Sequence, residues 1–536
     1  MNFKLNRIPL LAVMLFVYVA SGFAQLQIGM GESERKLATA LMLINKLYVD
    51  EVNEDKLADD AITALLGKLD PHSTYIKADE LKEMNEPLEG NFDGIGVSFN
   101  MATDTLFIIE TIAGGPSEKV GILPGDKIIE VNDSVIAGIK MSTRSVMSRL
   151  RGPKGTSVNV KILRRGSNDL LSFRIVRDKI PINSLNASYM IDKETGYISL
   201  MRFGATTYKE FKTALMDLQK QGMKNLILDL QSNGGGYLSA AIELTNEFLG
   251  KDKLIVYTEG ANQPRYSESS NSKGTFEQGK LVILVNENSA SASEILSGAI
   301  QDWDRGLIVG RRTFGKGLVQ RQLPLPGGSA MRLTVARYYT PTGRSIQKPY
   351  TNGDKDSYEK DLIERYNHGE MMSADSIHFP DSLKYTTLVN KRIVYGGGGI
   401  MPDYFVPMDT LSAYHRQVWG KGLLNEISMG NVDGRREELK VKYPSIESYI
   451  EGFVVDENMM NKLLALAEKE KIEFNEEQYN ESKHLIALQI KALTAQYLFN
   501  TEAFSRIINA ENPIYQKGLE IIRNEKQYRQ LLSGKI

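Results

Sequence analysis

The sequence predicts an α/β chain of several domains, and three observations support this fold class. The 536 residues are enough for roughly three or four domains of ordinary size. Between about residues 185 and 345, apolar strand-like runs alternate with amphipathic helical stretches, a pattern typical of a mostly parallel sheet. Outside this region, over residues 36–69 and again beyond residue 411, apolar side chains recur at helical spacing.

Composition excludes several classes of function. A content of 42% hydrophobic and 24% charged residues is that of a globular protein. The net charge of −1 gives no electrostatic reason to expect nucleic acid or an anionic membrane as a partner. The chain has no cysteine, so thiol nucleophiles, Cys-based zinc sites and disulfides are excluded. It has no HExxH motif, so a zincin mechanism has no support. No metal or other cofactor is expected.

The first 24 residues have the pattern of a secretory signal peptide. Lys4 and Arg7 precede an apolar run over residues 8–20, and small residues precede a cut after Ala24. An uncleaved membrane anchor is the alternative, although the run is short for a span. The sequence therefore predicts an exported protein of the periplasm or cell envelope. A helical region follows over residues 30–87 and includes two helices within 36–69.

Residues 88–178 form a separate unit that contains short strands and turns. A Gly-Ile-Gly-Val stretch opens a strand, and VGILPGDKIIEVND and LRGPKGTSVNVKILR follow it in order. These segments resemble a PDZ domain, in which successive loop N–H groups bind a terminal carboxylate and the peptide adds a strand to the sheet. The resemblance implies that the C-terminus of a bound peptide contacts Gly94, Ile95, Gly96 and Val97.

Ser291 lies at a turn between a strand and a helix. The apolar run over residues 281–287 is typical of a buried parallel strand, and helical spacing begins just after the serine. The first N–H groups of a helix have no internal partner and stabilise negative charge, so the Ala292 N–H is a candidate oxyanion donor. The alternative is that Ser291 is an ordinary helix N-cap.

A glycine loop at the end of a second strand is the candidate for another donor. Gly234, Gly235 and Gly236 follow the apolar strand of residues 225–230 and precede a helix. Glycine lets the backbone approach a substrate closely and adopt positive φ. Because ligands lie at the carboxyl ends of strands in such sheets, this loop and Ser291 are expected to meet. An ordinary tight turn is the alternative.

Lys316 is the candidate general base. The pKa of a free lysine is ~10.4, so a lysine can take the proton of a serine near pH 7 only where its pKa is lowered. Burial among apolar side chains lowers it, and Phe314, Leu318 and Val319 are apolar neighbours in the sequence. An exposed turn lysine is the alternative. Residues 310–316 also match the core of a phosphate-binding loop, but Gly317 replaces the required Ser or Thr and a strand pattern follows.

Histidine does not support a triad. The five histidines all lie outside the α/β region, and His72, in a turn-like stretch, is expected to be structural.

Taken together, these motifs resemble the C-terminal processing peptidases, also called tail-specific proteases. The match runs from about residue 35 to 405 and includes LDPHSTY, DLQSNGGG, SASASEI, TFGKGLVQ and ARYYTPTGRSIQ. It implies a serine endopeptidase with a crotonase- or ClpP-like protease core over residues 179–410, an inserted PDZ domain and an N-terminal helical arm. The implied site residues are the nucleophile Ser291, the base Lys316, the lysine-orienting Gln320, and the oxyanion donors Ala292 and Gly235.

The chain departs from the family pattern in two places. Gln231 and Gly234 replace an arginine and a frequent proline in the glycine loop, which puts the second oxyanion donor in doubt. The helical C-terminal extension, residues 411–536, falls outside the usual core, and its role is open.

The expected partners are protein or peptide substrates bound by their C-termini. A homo-oligomer and an envelope adaptor protein remain open, and nucleic acid is not expected. The alternative function is a catalytically inactive PDZ adaptor built on a protease-like core, although a scaffold has no use for Ser291, Lys316 and Gln320 together.

Overall fold

The computed structural model describes residues 31–101, 104–271 and 273–534. The signal peptide expected at residues 1–24 lies outside the described residues. No helix within those ranges combines the length and apolarity that crossing a bilayer requires. The chain is a mixed α/β protein of several units, in agreement with the fold class that the sequence predicts.

The N-terminal region is helical and ends in a short strand and a joining helix. Its elements are α1 (Glu32–Leu47), α2 (Glu54–Leu66), β1 (Thr74–Ile76) and α3 (Ala78–Glu89). The first two confirm the two helices expected within residues 36–69. The Asn53 side chain accepts a hydrogen bond from the Lys56 N–H and so fixes the start of α2.

The next unit is a small sheet with two short helices. Its elements are β2 (Asn91–Gly94), β3 (Val97–Asn100), β4 (Leu106–Thr111), α4 (Pro116–Lys119), β5 (Lys127–Val131), β6 (Ser134–Val135), α5 (Thr143–Leu150), β7 (Ser157–Leu163), β8 (Leu171–Val176) and β9 (Asp178–Pro181). The sheet has the order β3-β4-β5-β7-β8, with β6 beside β5. Strand β3 is therefore an edge strand, while β2 and β9 form an antiparallel ribbon at the entrance and exit of the unit.

The α/β region contains two sheets. Its elements are β10 (Leu185–Met190), β11 (Thr195–Leu200), α6 (Thr207–Lys220), β12 (Asn225–Asp229), α7 (Leu238–Asn246), β13 (Leu254–Gly260), β14 (Gln263–Ser269), β15 (Leu281–Val285), α8 (Ala292–Asp302), β16 (Leu307–Gly310), β17 (Leu318–Pro324), β18 (Ala330–Tyr339), α9 (Lys355–Asn367), β19 (Lys384–Thr386), β20 (Ile393–Tyr395) and β21 (Tyr404–Phe405). The main sheet has the order β10-β11-β12-β15-β16-β21 and is parallel except for β10. The second sheet runs β1-β18-β13-β14, with β17 also paired to β18.

The main sheet is buried on both faces, which explains why its strands read as continuous apolar runs. Leu226 and Leu228 of β12 pack toward helices α6, α7 and α8, whereas Ile227 between them packs in a separate core on the opposite face. Because the strands are parallel, the segments after β12 and β15 leave the sheet at the same edge, and the glycine loop and Ser291 meet there.

The C-terminal extension is helical throughout its described length. Its helices are α10 (Ala413–Gly420), α11 (Leu423–Val432), α12 (Arg436–Lys442), α13 (Ile446–Gly452), α14 (Glu457–Lys469), α15 (Glu476–Leu498), α16 (Thr501–Ile508), α17 (Pro513–Arg523) and α18 (Glu525–Ser533). Helices α10 to α16 form their own core, which also takes in Phe107 of β4. Helices α17 and α18 instead pack on the second face of the main sheet, through Ile514 and Ile521 of α17 and Tyr528 and Leu531 of α18. The extension thus contacts both preceding units.

Candidate active site

The turn that carries Ser291 is backbone-strained. Strand β15 ends at Val285, and Ser291 is the N-cap of α8 with φ 56° and ψ −112°. A positive φ is uncommon for a residue other than glycine, and such strain persists only where surrounding contacts hold it. Here the Ser291 N–H donates to the Glu294 carboxylate at 2.7 Å, and the first turn of α8 closes on the Ser291 carbonyl.

Glu294 ties the serine turn to the lysine segment. Its fully buried carboxylate accepts hydrogen bonds from the N–H groups of Ser291 and Lys316, at 2.7 and 2.9 Å, through one oxygen. The other oxygen accepts from the Thr313 hydroxyl and the Gly315 N–H, at 2.6 and 2.7 Å. Burial raises the pKa of Glu294, and these four hydrogen bonds oppose that shift. Glu294 is not among the predicted site residues, although the Ser-x-x-Glu spacing of a capping box is a signal for it.

Lys316 follows Gly315, whose φ of 89° favours glycine, and lies two residues before Leu318, the first residue of β17. Burial lowers the pKa of Lys316, and the nearby positive charge of Arg332 lowers it further, while Glu294 and Asp70 oppose the shift. Its Nζ makes no hydrogen bond or ion pair within the described part of the chain. These are the conditions under which an amine serves as a base.

One cleft brings most of the predicted site residues together. It has a volume of about 620 Å³, and Ser291, Lys316, Gln320 and Gly235 all line it. Tyr338 also lines it, and its hydroxyl donates to the Ser291 carbonyl at 3.2 Å and contacts the Lys316 carbonyl. The two backbones that carry the serine and the lysine are therefore joined twice, by this hydroxyl and by the carboxylate of α8.

The two predicted oxyanion donors differ in their hydrogen bonding. The Ala292 N–H, at the first position of α8, has no acceptor among the residues that the structure describes. The Gly235 N–H already donates to Asn233 Oδ1 at 2.9 Å. Gly235 nevertheless lies against the serine turn with φ 97°, where an added Cβ would come within 2.8 Å of Ser291 Cβ. The N–H of Gly234, which also lines the cleft, makes no hydrogen bond in residues 31–101, 104–271 or 273–534.

Gln320 lies in the cleft but does not bind the lysine in this structure. Its Nε2 donates to the Leu318 carbonyl at 3.1 Å and to Thr334 Oγ1 at 3.3 Å. Its role in orienting Lys316 stays a prediction. The segment after Lys316 forms β17, as the sequence predicts. A phosphate-binding loop would be followed by a helix at this position.

His72 lies closer to the lysine than the sequence suggested. Its Nε2 is 3.0 Å from the Tyr358 hydroxyl. Burial and the neighbouring Lys316 lower the pKa of His72 to about 4, so the ring is neutral near pH 7. The ring is therefore a neutral neighbour of the base.

The predicted carboxylate loop lies at the start of the small sheet. Gly94 ends β2 and Val97 begins the edge strand β3. The carbonyl of Ile95 accepts from the Ser117 N–H and hydroxyl, and the carbonyl of Gly96 accepts from the Ile112 N–H. These bonds fix the loop through its carbonyl groups. None of these four residues lines the Ser291 cleft among the residues described for it.

Helix α3 connects the small sheet to the cleft. Asn85, Leu88 and Glu89 of this helix line the cleft. Glu86 of the same helix forms a 2.7 Å ion pair with Arg151, the residue just after α5. Helix α3 therefore contacts both the small sheet and the cleft that contains Ser291.

Four family models match parts of this sequence. Peptidase family S41 matches residues 194–356, a PDZ domain matches 94–175, and the N-terminal domain of the activating protease CtpB matches 21–80. A family of unknown function matches residues 414–500, within the C-terminal extension.

The chain is also similar to individual proteins. It is 37% identical over 305 residues to a carboxy-terminal-processing protease of Bartonella bacilliformis, which covers 56% of this chain and 69% of that protein. It is 34% identical to the carboxy-terminal processing protease CtpB of Bacillus subtilis, over 58% of this chain and 65% of that protein. Among solved structures, a photosystem II D1 C-terminal processing protease is 28% identical with a TM-score of 0.34, over 59% of this chain and 91% of that one.

Proposed function

Because this chain belongs to the carboxy-terminal processing proteases, a family of serine-type peptidases, we propose that it hydrolyses peptide bonds with Ser291 as nucleophile and Lys316 as general base. The observation that carries the proposal is a partly buried lysine with a lowered pKa and no ion-pair partner in the described chain, in the same cleft as a serine on a strained turn. A neutral amine and a hydroxyl in one cleft form the minimal pair for serine catalysis without histidine.

In the proposed mechanism, Lys316 Nζ takes the hydroxyl proton as Ser291 Oγ bonds to the scissile carbonyl carbon. The oxyanion accepts hydrogen bonds from the Ala292 N–H and from an N–H of the glycine loop. Collapse breaks the C–N bond, and the departing amine takes the proton from Lys316. Water then attacks the acyl-enzyme and Lys316 accepts its proton. The ester C–O bond breaks, Lys316 returns the proton to Ser291 Oγ, and the carboxylic acid is released.

For the second donor we propose either Gly235 or Gly234. Gly235 packs against the serine turn, but its N–H must leave Asn233 Oδ1 before it can bind an oxyanion. The Gly234 N–H needs no such exchange. The approach of the glycine backbone to Ser291 supports a role for the loop in both cases.

We further propose that residues 88–178 recognise the free C-terminus of a substrate and that residues 179–410 form a protease core of crotonase or ClpP type. The PDZ match, the free edge of β3 and the loop at residues 94–97 support capture by strand addition. Helix α3 contacts both the small sheet and the cleft, which supports coupling between the two. Binding of a substrate C-terminus to the small sheet would then shift the helix that borders the cleft. Export to the periplasm or cell envelope after removal of residues 1–24 rests on the sequence pattern alone.

The test is cleavage of a peptide with an apolar C-terminus by the purified protein and by Ser291→Ala. We expect Ser291→Ala to lose activity by on the order of 10⁴-fold or more, with an unchanged melting temperature. Activity that persists in this variant contradicts the proposal. Absence of cleavage by the wild-type protein, with peptide binding retained, would favour the adaptor instead.

A further inference from the structure

The segment after α2 is far from Lys316 in the sequence but lies near it in the fold. Strand β1 pairs antiparallel with β18, with Thr74 opposite Arg332. This pairing places the preceding residue Asp70 beside β18. The Asp70 carboxylate accepts hydrogen bonds from the His72 N–H, the Ser73 N–H and the Ser73 hydroxyl, at 2.9, 3.1 and 2.5 Å, so its position is fixed by its own turn.

Asp70 also reaches across to the candidate site. The Thr334 hydroxyl donates to Asp70 Oδ1 at 2.9 Å, and Gln320 Nε2 lies 3.3 Å from the same hydroxyl oxygen. A threonine hydroxyl has one proton, and a carboxylate oxygen can only accept. The Thr334 oxygen must therefore accept from Gln320, and the direction of every hydrogen bond along this chain is set by the charge of Asp70.

The same logic fixes which way the Gln320 amide faces. Its Nε2 also donates to the Leu318 carbonyl at 3.1 Å, and a carbonyl oxygen can only accept. Both hydrogens of Gln320 Nε2 therefore take part in hydrogen bonds. Gln320 Oε1 makes no hydrogen bond within the described residues, and it remains as an acceptor in the cleft that Lys316 also lines.

We propose that Asp70 is a positioning residue that acts through Thr334 on Gln320, so that Gln320 presents its carbonyl oxygen to the Lys316 amine. A hydrogen bond from one Lys316 N–H to this oxygen would restrict rotation of the amine, so that its lone pair can face the Ser291 hydroxyl. This inference rests on the proposed function, since it concerns the geometry of the same base.

Asp70 has a second effect on the lysine, through charge. The groups that act on Lys316 are Arg332 of β18, Glu294 of α8 and Asp70, and the neutral ring of His72 lies nearby. Asp70 raises the pKa of Lys316 and Arg332 lowers it. Removal of the Asp70 charge should therefore lower the pKa of the base, whereas loss of the threonine hydroxyl should disturb geometry and leave that charge in place.

The test compares Thr334→Val, Thr334→Ser and Asp70→Asn with a matched variant, Thr258→Val. Thr258 lies on β13, directly opposite Tyr338 of β18, and its side chain makes no hydrogen bond in the part of the chain that the structure describes. We expect Thr334→Val to lower kcat at least tenfold with KM changed less than threefold. Thr334→Ser should restore activity, and Thr258→Val should remain like the wild type.

A double-mutant cycle separates the relay from a general structural role. In a Gln320→Ala background, Thr334→Val should have less than a twofold effect, because the group it orients is absent. Asp70→Asn keeps an acceptor for Thr334, so it should keep most of kcat while the acid limb of kcat/KM moves to lower pH.

Two outcomes overturn the inference: full activity of Thr334→Val, or an equal loss with and without the Gln320 side chain. Ser291→Ala is assayed in parallel. If that variant retains activity, the proposed nucleophile is wrong. If it is inactive while Thr334→Val is like the wild type, only the relay is wrong.

Discussion

Two lysines of the protease region are withdrawn from water, and they differ in what surrounds the amine. Lys348 Nζ donates to Asp361 at 2.8 Å and lies over the rings of Phe314 and Tyr358 at 4.0 and 4.1 Å. Lys316 Nζ has no such partner among the described residues. Burial lowers the pKa of both amines. The strongest neighbouring charge opposes this shift at Lys348, where it is Asp361, and reinforces it at Lys316, where it is Arg332. Weaker effects have the reverse sign: Arg365 and Arg312 lower the pKa of Lys348, and Glu294 and Asp70 raise that of Lys316.

The difference shows that burial alone does not make a base. A carboxylate and two aromatic faces stabilise the ammonium form of Lys348, which suits a structural ion pair. Burial and the charge of Arg332 favour the neutral form of Lys316, and its side chain lines the cleft. Lys348 is therefore expected to be a structural lysine and Lys316 the general base.

Substitution of Lys316 should have the largest effect on catalysis. We expect Lys316→Ala to lower kcat by about 10²–10⁴-fold because the general base is lost. Lys316→Arg should be equally inactive, since a guanidinium does not deprotonate in proteins. Steady-state cleavage of a C-terminal peptide measures both. Lys348→Met is the matched control, and its kcat should stay within a few-fold of wild type; a loss equal to that of Lys316→Ala would erase the distinction.

Glu294 should matter for the site beyond its effect on folding. In Glu294→Gln, an NH₂ group replaces one of the two carboxylate oxygens, and it cannot accept the hydrogen bonds that this oxygen accepts. The serine turn or the lysine segment must therefore shift. We expect kcat to fall by about 10²-fold, as misplacement of a catalytic group by about 1 Å can cause. Peptide cleavage measures this change.

Glu247→Gln is the control for that variant. Glu247 is also fully buried, and it accepts from Lys212, Tyr208 and Thr275 away from the cleft. This variant should lose stability in a thermal melt while its kcat remains near that of the wild type. Equal kcat losses in both variants would mean that Glu294 is only a structural carboxylate.

The two lysines should also differ in their effects on stability. The folded-state pKa of Lys316 is lowered, so the unfolded chain binds more protons between the two pKa values and stability rises with pH across that window. Lys316→Met removes this cost and should raise the free energy of unfolding at pH 7 by ~1 kcal/mol. The pKa of Lys348 is lowered as well, so Lys348→Met removes a similar cost, but it also leaves Asp361 without its partner. Lys348→Met should therefore be less stable than Lys316→Met by about 1–2 kcal/mol. Denaturant unfolding measures both, and a Lys348→Met protein as stable as Lys316→Met would contradict the comparison.

The parts of the site that could be predicted from sequence are those set by local pattern. The apolar run over residues 281–287 and the helical spacing after it fix Ser291 at a strand end. The glycine loop is predictable for the same reason, since parallel strands bring their carboxyl ends to one edge. Lys316 and the strand after it also follow from neighbouring residues and the family motif.

The contacts that could not be predicted join residues far apart in the chain. Thr334 and Asp70 are separated by 264 positions, and their bond depends on the pairing of β1 with β18. The Gly235 N–H is taken by a side chain two residues away, which no spacing rule reveals. The apolar face of α17 reads as an ordinary helix, and only the fold shows that it covers the main sheet.

The central claim is that the Lys316 amine is neutral at a pH where exposed lysines are charged. Trace acetylation of the Ser291→Ala protein across a pH series, with each lysine quantified by peptide mass spectrometry, measures this directly, because only the neutral amine reacts. The account predicts that Lys316 reaches half of its maximal reactivity at a lower pH than exposed lysines such as Lys220 and Lys251. A Lys316 that titrates together with those lysines, or above them, would contradict it.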